Sequence, residues 1–238
     1  MTLVEQWWRR ASVTTPALDA STLLMIALAA LVAVILAWRA VRMAVTVCHE
    51  AGHAVAATLT GRSLSGIRLH SDTSGVTVTR GRPTGPGMVI TLLAGYPAAS
   101  LVGLLAAAVA GAGHAVGMLW LLVGLLALMF LKIRNLYGAL VVLVLVAMLA
   151  VATWSAPTRV LVWLAYAVAW TLLLAGPRPV LELALSRRGA TAGSDAAQLA
   201  RLTHLPRVVW VALWLLGTVG ALVWGAVSML PTLVPTTG

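Results

Sequence analysis

Long apolar segments dominate this 238-residue chain and restrict it to a small set of folds. Seven such segments lie between charged or turn-forming residues, and most are long enough to cross a bilayer as a helix. They are residues 21–38, 43–59, 88–110, 115–131, 136–153, 160–175 and 208–230. Hydrophobic residues make up 61% of the chain and charged residues only 9%, which no ordinary soluble domain matches. We therefore predict an all-α polytopic membrane protein with about seven transmembrane helices.

The second apolar segment carries the sequence His49-Glu50-Ala51-Gly52-His53, an HExxH motif. On a helix, residues four apart project from one face, so the two imidazoles can bind one zinc ion. Glu50 is placed to reach a metal-bound water rather than the metal, which suits a general base and later proton donor. The alternative is a polar cluster that only joins helices. We favour the metal, because such groups are costly in a membrane unless paired, metal-bound or facing a cavity.

The hydrophobic period changes after the motif helix. Residues 64–79 alternate apolar and polar side chains on both sides of Asp72-Thr73-Ser74-Gly75, which predicts a short β-hairpin. Its edge could pair with an extended peptide, or the hairpin could lie on the surface without a role. The proline-rich run Gly176-Pro177-Arg178-Pro179 should end the sixth helix sharply. We expect residues 1–238 to form a single membrane-embedded domain, with an interfacial tail at 1–20 and a cytoplasmic segment at 177–206.

The basic residues predict the orientation of the chain. The formal net charge is +10, but the Lys and Arg residues are scattered through short loops, which argues against a nucleic-acid surface. With the N-terminus in the cytoplasm, thirteen basic residues fall on the cytoplasmic side, and Arg39, Arg42 and Arg159 fall on the other. The thirteen are Arg9, Arg10, Arg62, Arg68, Arg80, Arg82, Lys132, Arg134, Arg178, Arg187, Arg188, Arg201 and Arg207. We predict a multi-pass plasma-membrane protein with residues 61–87 cytoplasmic and the C-terminus outside.

A catalytic zinc ion usually takes three protein ligands and one water, so the motif needs a third ligand from elsewhere. Asp195 begins a short predicted helix on the same side of the membrane as His53, and a carboxylate is a normal zinc ligand. Ligation requires residues 190–205 to fold back, which the apolar face of that helix permits. Alternatively, Asp195 only complements the helix dipole. Asn135 is a weaker ligand, and we expect it to hydrogen-bond the metal ligand or the substrate carbonyl. If Asp195 lies too far away, Asn135 or a water takes the third position.

In combination, these features resemble the site-2 protease family of intramembrane zinc metallopeptidases, and within it the bacterial M50B-like branch. The resemblance rests on the HExxH helix, the hairpin that follows it and three further stretches. These are Ala94-Gly95-Tyr96-Pro97, Arg134-Asn135-Leu136-Tyr137-Gly138 and Ser194-Asp195-Ala196. It implies that two histidines and a later aspartate bind zinc and that the glutamate drives hydrolysis. The family aspartate commonly stands in an Asn-Pro-Asp-Gly-like motif, but residues 134–138 contain none. The third ligand stays open between Asp195, Asn135 and another group.

We therefore predict a metallopeptidase-like domain that uses Zn²⁺ and hydrolyses peptide bonds of membrane-anchored proteins, with Glu50 activating a zinc-bound water. The lipid bilayer and a membrane-anchored protein substrate are its expected partners, and nucleic acid is not. The alternative is a non-catalytic, pseudoprotease-like membrane scaffold or binding protein, which the missing aspartate motif favours. A transporter is a weaker alternative, because outside the His-Glu-His cluster the spans carry almost no ionisable groups.

Overall fold

The computed structural model describes residues 2–186 and 193–230. Over that part of the chain, helices follow one another around one two-stranded antiparallel sheet. The elements are α1 (Leu3–Ala11), α2 (Ala20–Leu36), α3 (Trp38–Leu59), β1 (Ser63–Leu69), β2 (Gly75–Arg80), α4 (Pro86–Leu93), α5 (Ala98–Gly111), α6 (Ala115–Phe130), α7 (Leu136–Ser155), α8 (Thr158–Ala175), α9 (Pro177–Leu185), α10 (Asp195–Thr203) and α11 (Arg207–Met229). The predicted all-α polytopic class, with a hairpin after the HExxH helix, is confirmed.

The number of crossings differs from the predicted seven. Among the described residues, three helical stretches are long and apolar enough to cross a bilayer: α7, Thr158–Leu185 and α11. Two bent pairs, α2–α3 at 98° and α4–α5 at 65°, raise the number to five if each pair is one broken span. Helix α6 is apolar but shorter, at 16 residues. The count of seven is therefore not confirmed, although each predicted apolar segment is helical.

Proline explains why the predicted helix at 88–110 is broken. Pro97 is the last residue of a turn at residues 94–97, and its ring cannot coexist with a helical hydrogen bond to the carbonyl of Leu93. The indole nitrogen of Trp214 donates to this freed carbonyl at 3.0 Å. The chain therefore bends between α4 and α5, and the backbone at this bend lies against His49 and His53.

The expected sharp end at residues 176–179 is only partly seen: α8 ends at Ala175 as predicted, but the apolar helical stretch continues. Gly176 keeps helical backbone angles, and α9 begins at once with Pro177. Pro177 and Pro179 lie in the first turn of α9, where an amide N–H has no intrahelical partner to lose. The apolar helical stretch therefore runs from Thr158 to Leu185.

Small residues let the central helices approach closely. In α5, Ala99, Ala106, Ala107 and Ala110 are almost completely buried. They face α8, whose Ala165, Tyr166, Ala169 and Leu173 are equally buried. A Cβ at Gly103 would lie 3.0 Å from Leu172 and Leu173. Such close backbone packing replaces the hydrophobic driving force that helices lack in lipid. Large side chains on α7 and α11, among them Met148, Leu216 and Trp224, instead point outward, as expected for lipid contact.

A cluster of charged and aromatic side chains ties α9 to the bend between α2 and α3. Arg178 donates from Nη1 to the carbonyl of Val34 at 2.8 Å, and its guanidinium lies 4.0 Å above the ring of Trp38. The last carbonyls of a helix lack intrahelical partners, so Arg178 satisfies one that the bend leaves open. Glu182 also contacts Arg42 at 3.3 Å. These contacts hold the start of α3 against α9.

The hairpin folds back along α3 instead of lying free beyond its end. Thr46 donates to the carbonyl of Thr73 in the turn at 2.8 Å, and Arg39 donates to that of Ser71 at 3.2 Å. The other edge of β1 is covered by the chain after α6, since Ile67 N–H donates to Lys132 and its carbonyl accepts from Arg134, both at 2.8 Å. The turn therefore contacts Arg39, which the charge count assigns to the opposite side from residues 61–87. These contacts satisfy polar backbone groups of the turn and of the outer edge of β1, as membrane depth requires.

Candidate metal centre

Helix α3 presents the two motif histidines on one face, as the four-residue spacing predicts. Their Nε2 atoms are 3.0 Å apart, and their ring planes are nearly perpendicular, with an angle of 89°. The His53 side chain is 10% exposed and that of His49 is 23% exposed. The pair is thus largely enclosed but still accessible from the His49 side.

Asp195 lies beside both histidines, although it is 142 residues beyond His53 in the chain. Its Oδ2 atom is 3.3 Å from the Nε2 atom of each ring. Helix α10 starts at Asp195 and is capped by the Ser194 hydroxyl, which accepts from the backbone of Ala197. The described part of the predicted fold-back, residues 193–205, therefore brings the carboxylate to the imidazoles.

Apolar packing fixes the position of α10. Ala196 and Leu199 are fully buried in a cluster that joins four helices, α4, α9, α10 and α11. The other buried members of this cluster are Leu92, Val180, Leu183, Trp210, Val211 and Trp214. Because Ala196 and Leu199 are one and four residues after Asp195, their burial sets where the carboxylate points.

The three side chains fit a tetrahedral metal ion. Zinc binds imidazole nitrogen and carboxylate oxygen at about 2.0–2.1 Å, so two ligands of a tetrahedral site lie roughly 3.3 Å apart. The donor atoms of His49, His53 and Asp195 are separated by 3.0, 3.3 and 3.3 Å. This His/His/Asp group could hold a metal ion, and its three ligands would leave the fourth position open for water or substrate.

Backbone groups of α4 and of the bend after it orient the imidazoles. The Nδ1 atom of His53 is 2.7 Å from the carbonyl of Thr91, which can only accept, so Nδ1 carries the proton and Nε2 keeps its lone pair for a metal. A Cβ at Gly95 would lie 2.5 Å from Cε1 of His53 and 2.6 Å from that of His49. Only glycine therefore lets the backbone approach both rings. Tyr96 contacts His49 edge-on and stacks against Trp214, with centroids 4.6 Å apart in the second pair.

The charge on Asp195 suits metal ligation. Burial acts to raise the pKa of its carboxyl group, but the adjacent imidazoles of His49 and His53 outweigh burial and hold the pKa below the ordinary value. The carboxylate is therefore ionised at neutral pH, which is the form that binds a cation.

Glu50 lies next to the histidines in sequence and faces the hairpin. It is only 3% exposed. Its Oε2 atom accepts a hydrogen bond of 2.6 Å from the hydroxyl of Thr77 on β2. A Cβ at Gly75 would lie 2.6 Å from both Cγ and Oε1 of Glu50. The hairpin backbone thus packs directly on the carboxylate.

Asn135 contacts the hairpin rather than the histidines. Its Nδ2 donates to the carbonyl of Leu69 at 2.7 Å, and its Oδ1 accepts from the N–H of Leu69 at 3.1 Å. These two bonds imitate the pairing of a neighbouring strand at the end of β1. We expected this amide to hydrogen-bond a metal ligand or the substrate carbonyl. In the structure it hydrogen-bonds the hairpin backbone instead.

Sequence reasoning named His49, His53, Glu50 and Asp195 as candidate site residues, but it did not name the residues around them. Thr77 and Gly75 carried only a partial signal, since alternation puts them on one face of a strand but does not show which element that face packs on. Thr91 and Gly95 carried a weaker one, because a run of small residues such as Ala94-Gly95 is equally typical of close helix packing. Contact of these residues with the imidazoles depends on the bend between α4 and α5.

Comparison with known proteins gives one further finding. Residues 22–225 match the family model described as Peptidase M50B-like. No curated protein and no solved structure matches the chain significantly. The matched interval begins in α2 and ends in α11, so it contains both motif histidines, Glu50 and Asp195.

Proposed function

The chain belongs to the Peptidase M50B-like family, and from that membership we propose a zinc-dependent endopeptidase that cleaves membrane-anchored proteins within the bilayer. The membership implies a membrane metallopeptidase, and the finer assignment is our inference. The observation that carries it is the approach of His49, His53 and Asp195 to within metal-ligand distances of one another, with Glu50 adjacent. A scaffold without catalysis would not need such a donor set.

Each of these side chains has a role in the proposed reaction. His49, His53 and Asp195 would hold the metal, and Asp195 contributes the negative charge that partly neutralises it. A bound zinc ion would supply Lewis-acid chemistry, polarising the scissile carbonyl and increasing the acidity of water at neutral pH. Glu50 accepts a proton from the attacking water and then donates it to the leaving amine. The Thr91 carbonyl keeps His53 in the tautomer that the ligand role requires.

The substrate must reach this centre in an extended form, because helical hydrogen bonds and side chains shield the peptide bonds of a transmembrane helix. Strand β1 is paired on one side with β2 and contacts residues 132–135 on the other. Strand β2 pairs with β1 alone among the described residues. Val76 and Val78 on β2 are 48% and 44% exposed. We infer that the outer edge of β2 receives the unwound segment, beside Glu50.

The proposal also includes the orientation of the chain, its lipid environment and a role for Asn135. The positive-inside bias supports a cytoplasmic N-terminus in the plasma membrane. The exposed apolar surfaces of α7 and α11 support the lipid bilayer as the immediate environment. Asn135 supports substrate binding through the hairpin, not through direct contact with the metal ligands.

Replacement of the proposed base tests the function. Cells that express the wild-type protein should accumulate new protein termini within or beside transmembrane segments, detectable by mass spectrometry of the membrane fraction. Glu50→Gln should abolish these termini, because an amide cannot accept the proton, while the purified variant keeps its metal. Glu5→Gln is a matched control, since Glu5 is exposed on α1 and hydrogen-bonds Thr2 at the start of that helix. Equal sets of new termini with wild type and Glu50→Gln would contradict the proposal and favour a scaffold.

A further inference from the structure

We propose that Thr77 is a positioning residue for Glu50, so that the hairpin sets the orientation of the catalytic base. This inference rests on the proposed function, in which Glu50 transfers the proton. The contact that it uses joins two elements that are 27 residues apart in sequence. Neither the motif nor the metal ligands account for it.

The geometry singles out one oxygen of the carboxylate. The Thr77 hydroxyl lies 2.6 Å from Oε2 of Glu50 and 3.1 Å from the backbone carbonyl of the same residue. A hydroxyl has one proton to donate, and the carboxyl oxygen Oε2 is the nearer of the two acceptors. Thr77 therefore holds Oε2, and Oε1 is the oxygen left for proton transfer.

Gly75 supplies an independent observation on the same carboxylate. It does not have the positive φ angle that would favour glycine. Its Cβ would instead lie 2.6 Å from Oε1, 2.6 Å from Cγ and 2.8 Å from Cδ of Glu50. A side chain at this position would fill the space that Oε1 occupies. Gly75 and Thr77, two residues apart on one strand face, thus lie beside different oxygens of the carboxylate.

Hydrogen bonds to other elements hold the hairpin in place, so it can fix the position of the Glu50 carboxylate. Its turn is bound to α3 through Thr46 and Thr73, and the end of β1 is bound to Asn135 by two hydrogen bonds. A glutamate side chain has three rotatable torsions, so without a fixed partner its carboxylate samples several orientations. Proton transfer requires one orientation within hydrogen-bond reach of the water. Thr77 selects it in advance.

A merely structural role for Thr77 makes different predictions from a positioning role. Thr77→Val keeps the shape of the side chain and removes the donor, whereas Thr77→Ser keeps the donor. We expect Thr77→Val to lower kcat roughly tenfold to a hundredfold at nearly unchanged KM, as for other groups that orient a catalytic side chain. Thr77→Ser should restore kcat to within a few fold. Thr79→Val is the matched control, because Thr79 contacts Arg62 and not Glu50.

Infrared spectroscopy of the purified, metal-loaded protein provides a readout other than cleavage. The Glu50 carboxylate band is identified by its loss in Glu50→Gln. It should shift in Thr77→Val and stay in place in Thr77→Ser and Thr79→Val. An unchanged band in Thr77→Val, or full kcat with that variant, overturns the inference. A shifted band in a protein without Glu50-dependent cleavage supports the contact and refutes the proposed function, so the two failures are distinguishable.

Discussion

At the scale of single residues, the candidate metal centre depends on Gly95, because a side chain at this position would clash with both imidazoles. Gly95 brings the backbone of the α4–α5 bend against the Cε1 atoms of both histidines. Because the imidazoles are fixed by Thr91 and by their shared helix, they cannot both move away from an added methyl group. The spacing of the donor atoms is therefore sensitive to this position.

Gly95→Ala tests that sensitivity. The new Cβ would lie 2.5–2.6 Å from both rings, so one imidazole must rotate out of the ligand position. We expect zinc content to fall well below that of the wild type, as measured by elemental analysis of purified protein. Gly124→Ala on α6 is the control, since a Cβ there meets nothing within 4 Å. Full zinc content in Gly95→Ala would show that the rings are not confined as described.

The residue scale also shows what sequence could and could not predict. His49, Glu50 and His53 follow from a local spacing on one helix, and Asp195 was favoured because the chain has few acidic residues to choose from. Thr77 and Thr91 are ordinary residue types that occur throughout the chain. Their roles arise only from contacts with α3, which no local pattern encodes.

At the scale of elements, the hairpin is held from both sides. Thr46 and Arg39 on α3 bind its turn, and Asn135 at the start of α7 binds the end of β1. Sequence predicted the hairpin itself from its alternation and turn residues. It did not predict the return along α3, because a period of two sets which faces a strand presents but not which element covers them.

Asn135→Ala should loosen the hairpin without removing the metal. The change deletes two hydrogen bonds to Leu69, each worth about 1 kcal/mol, and leaves the polar backbone of a fully buried residue unpaired. We expect faster hydrogen exchange at the Leu69 amide and lower cleavage, with zinc content close to the wild type. Asn135→Asp, which can still accept from the Leu69 N–H, should give an intermediate exchange rate. Unchanged exchange in Asn135→Ala would rule out this role for the side chain.

The helix break at Pro97 and the helical stretch that continues past Pro177 show that a proline in the sequence does not by itself predict where a helix ends. Two prolines after Gly176 do not end the apolar stretch, because they lie in a first helical turn. A single Pro97 does break its segment, and the carbonyl it frees accepts a hydrogen bond from the indole N–H of Trp214 on α11. Position relative to a helix start, which only the structure gives, decides between these outcomes.

At the scale of the whole molecule, apolar length predicted helices well but crossings less well. A hydropathy pattern shows how many residues are apolar enough to span a bilayer, but it does not show whether the chain bends between or within these segments. The 98° bend between α2 and α3 and the 65° bend between α4 and α5 turn three predicted helical segments into two bent pairs, each a broken span or a re-entrant loop. Lipid-exposed faces and the small-residue core were, in contrast, predictable from composition.

The orientation of the molecule can be measured directly. Counting each bent pair as one crossing gives five, and both five and seven place the two ends of the chain on opposite sides. The basic residues predict a cytoplasmic N-terminus. Reporter fusions before α1 and after α11 should therefore give cytoplasmic and external signals, respectively. Two cytoplasmic signals would mean an even number of crossings, which would make the short helix α6 a sixth.

The central claim is that three residues from two distant helices share one zinc ion. Elemental analysis combined with zinc-edge X-ray absorption of the purified protein tests it most directly. We predict one zinc per chain, with two imidazole nitrogens and carboxylate oxygen at about 2.0–2.1 Å in its first coordination shell. Asp195→Ala should lose zinc nearly as completely as His53→Ala. Full zinc occupancy and an unchanged absorption spectrum in Asp195→Ala would contradict the claim.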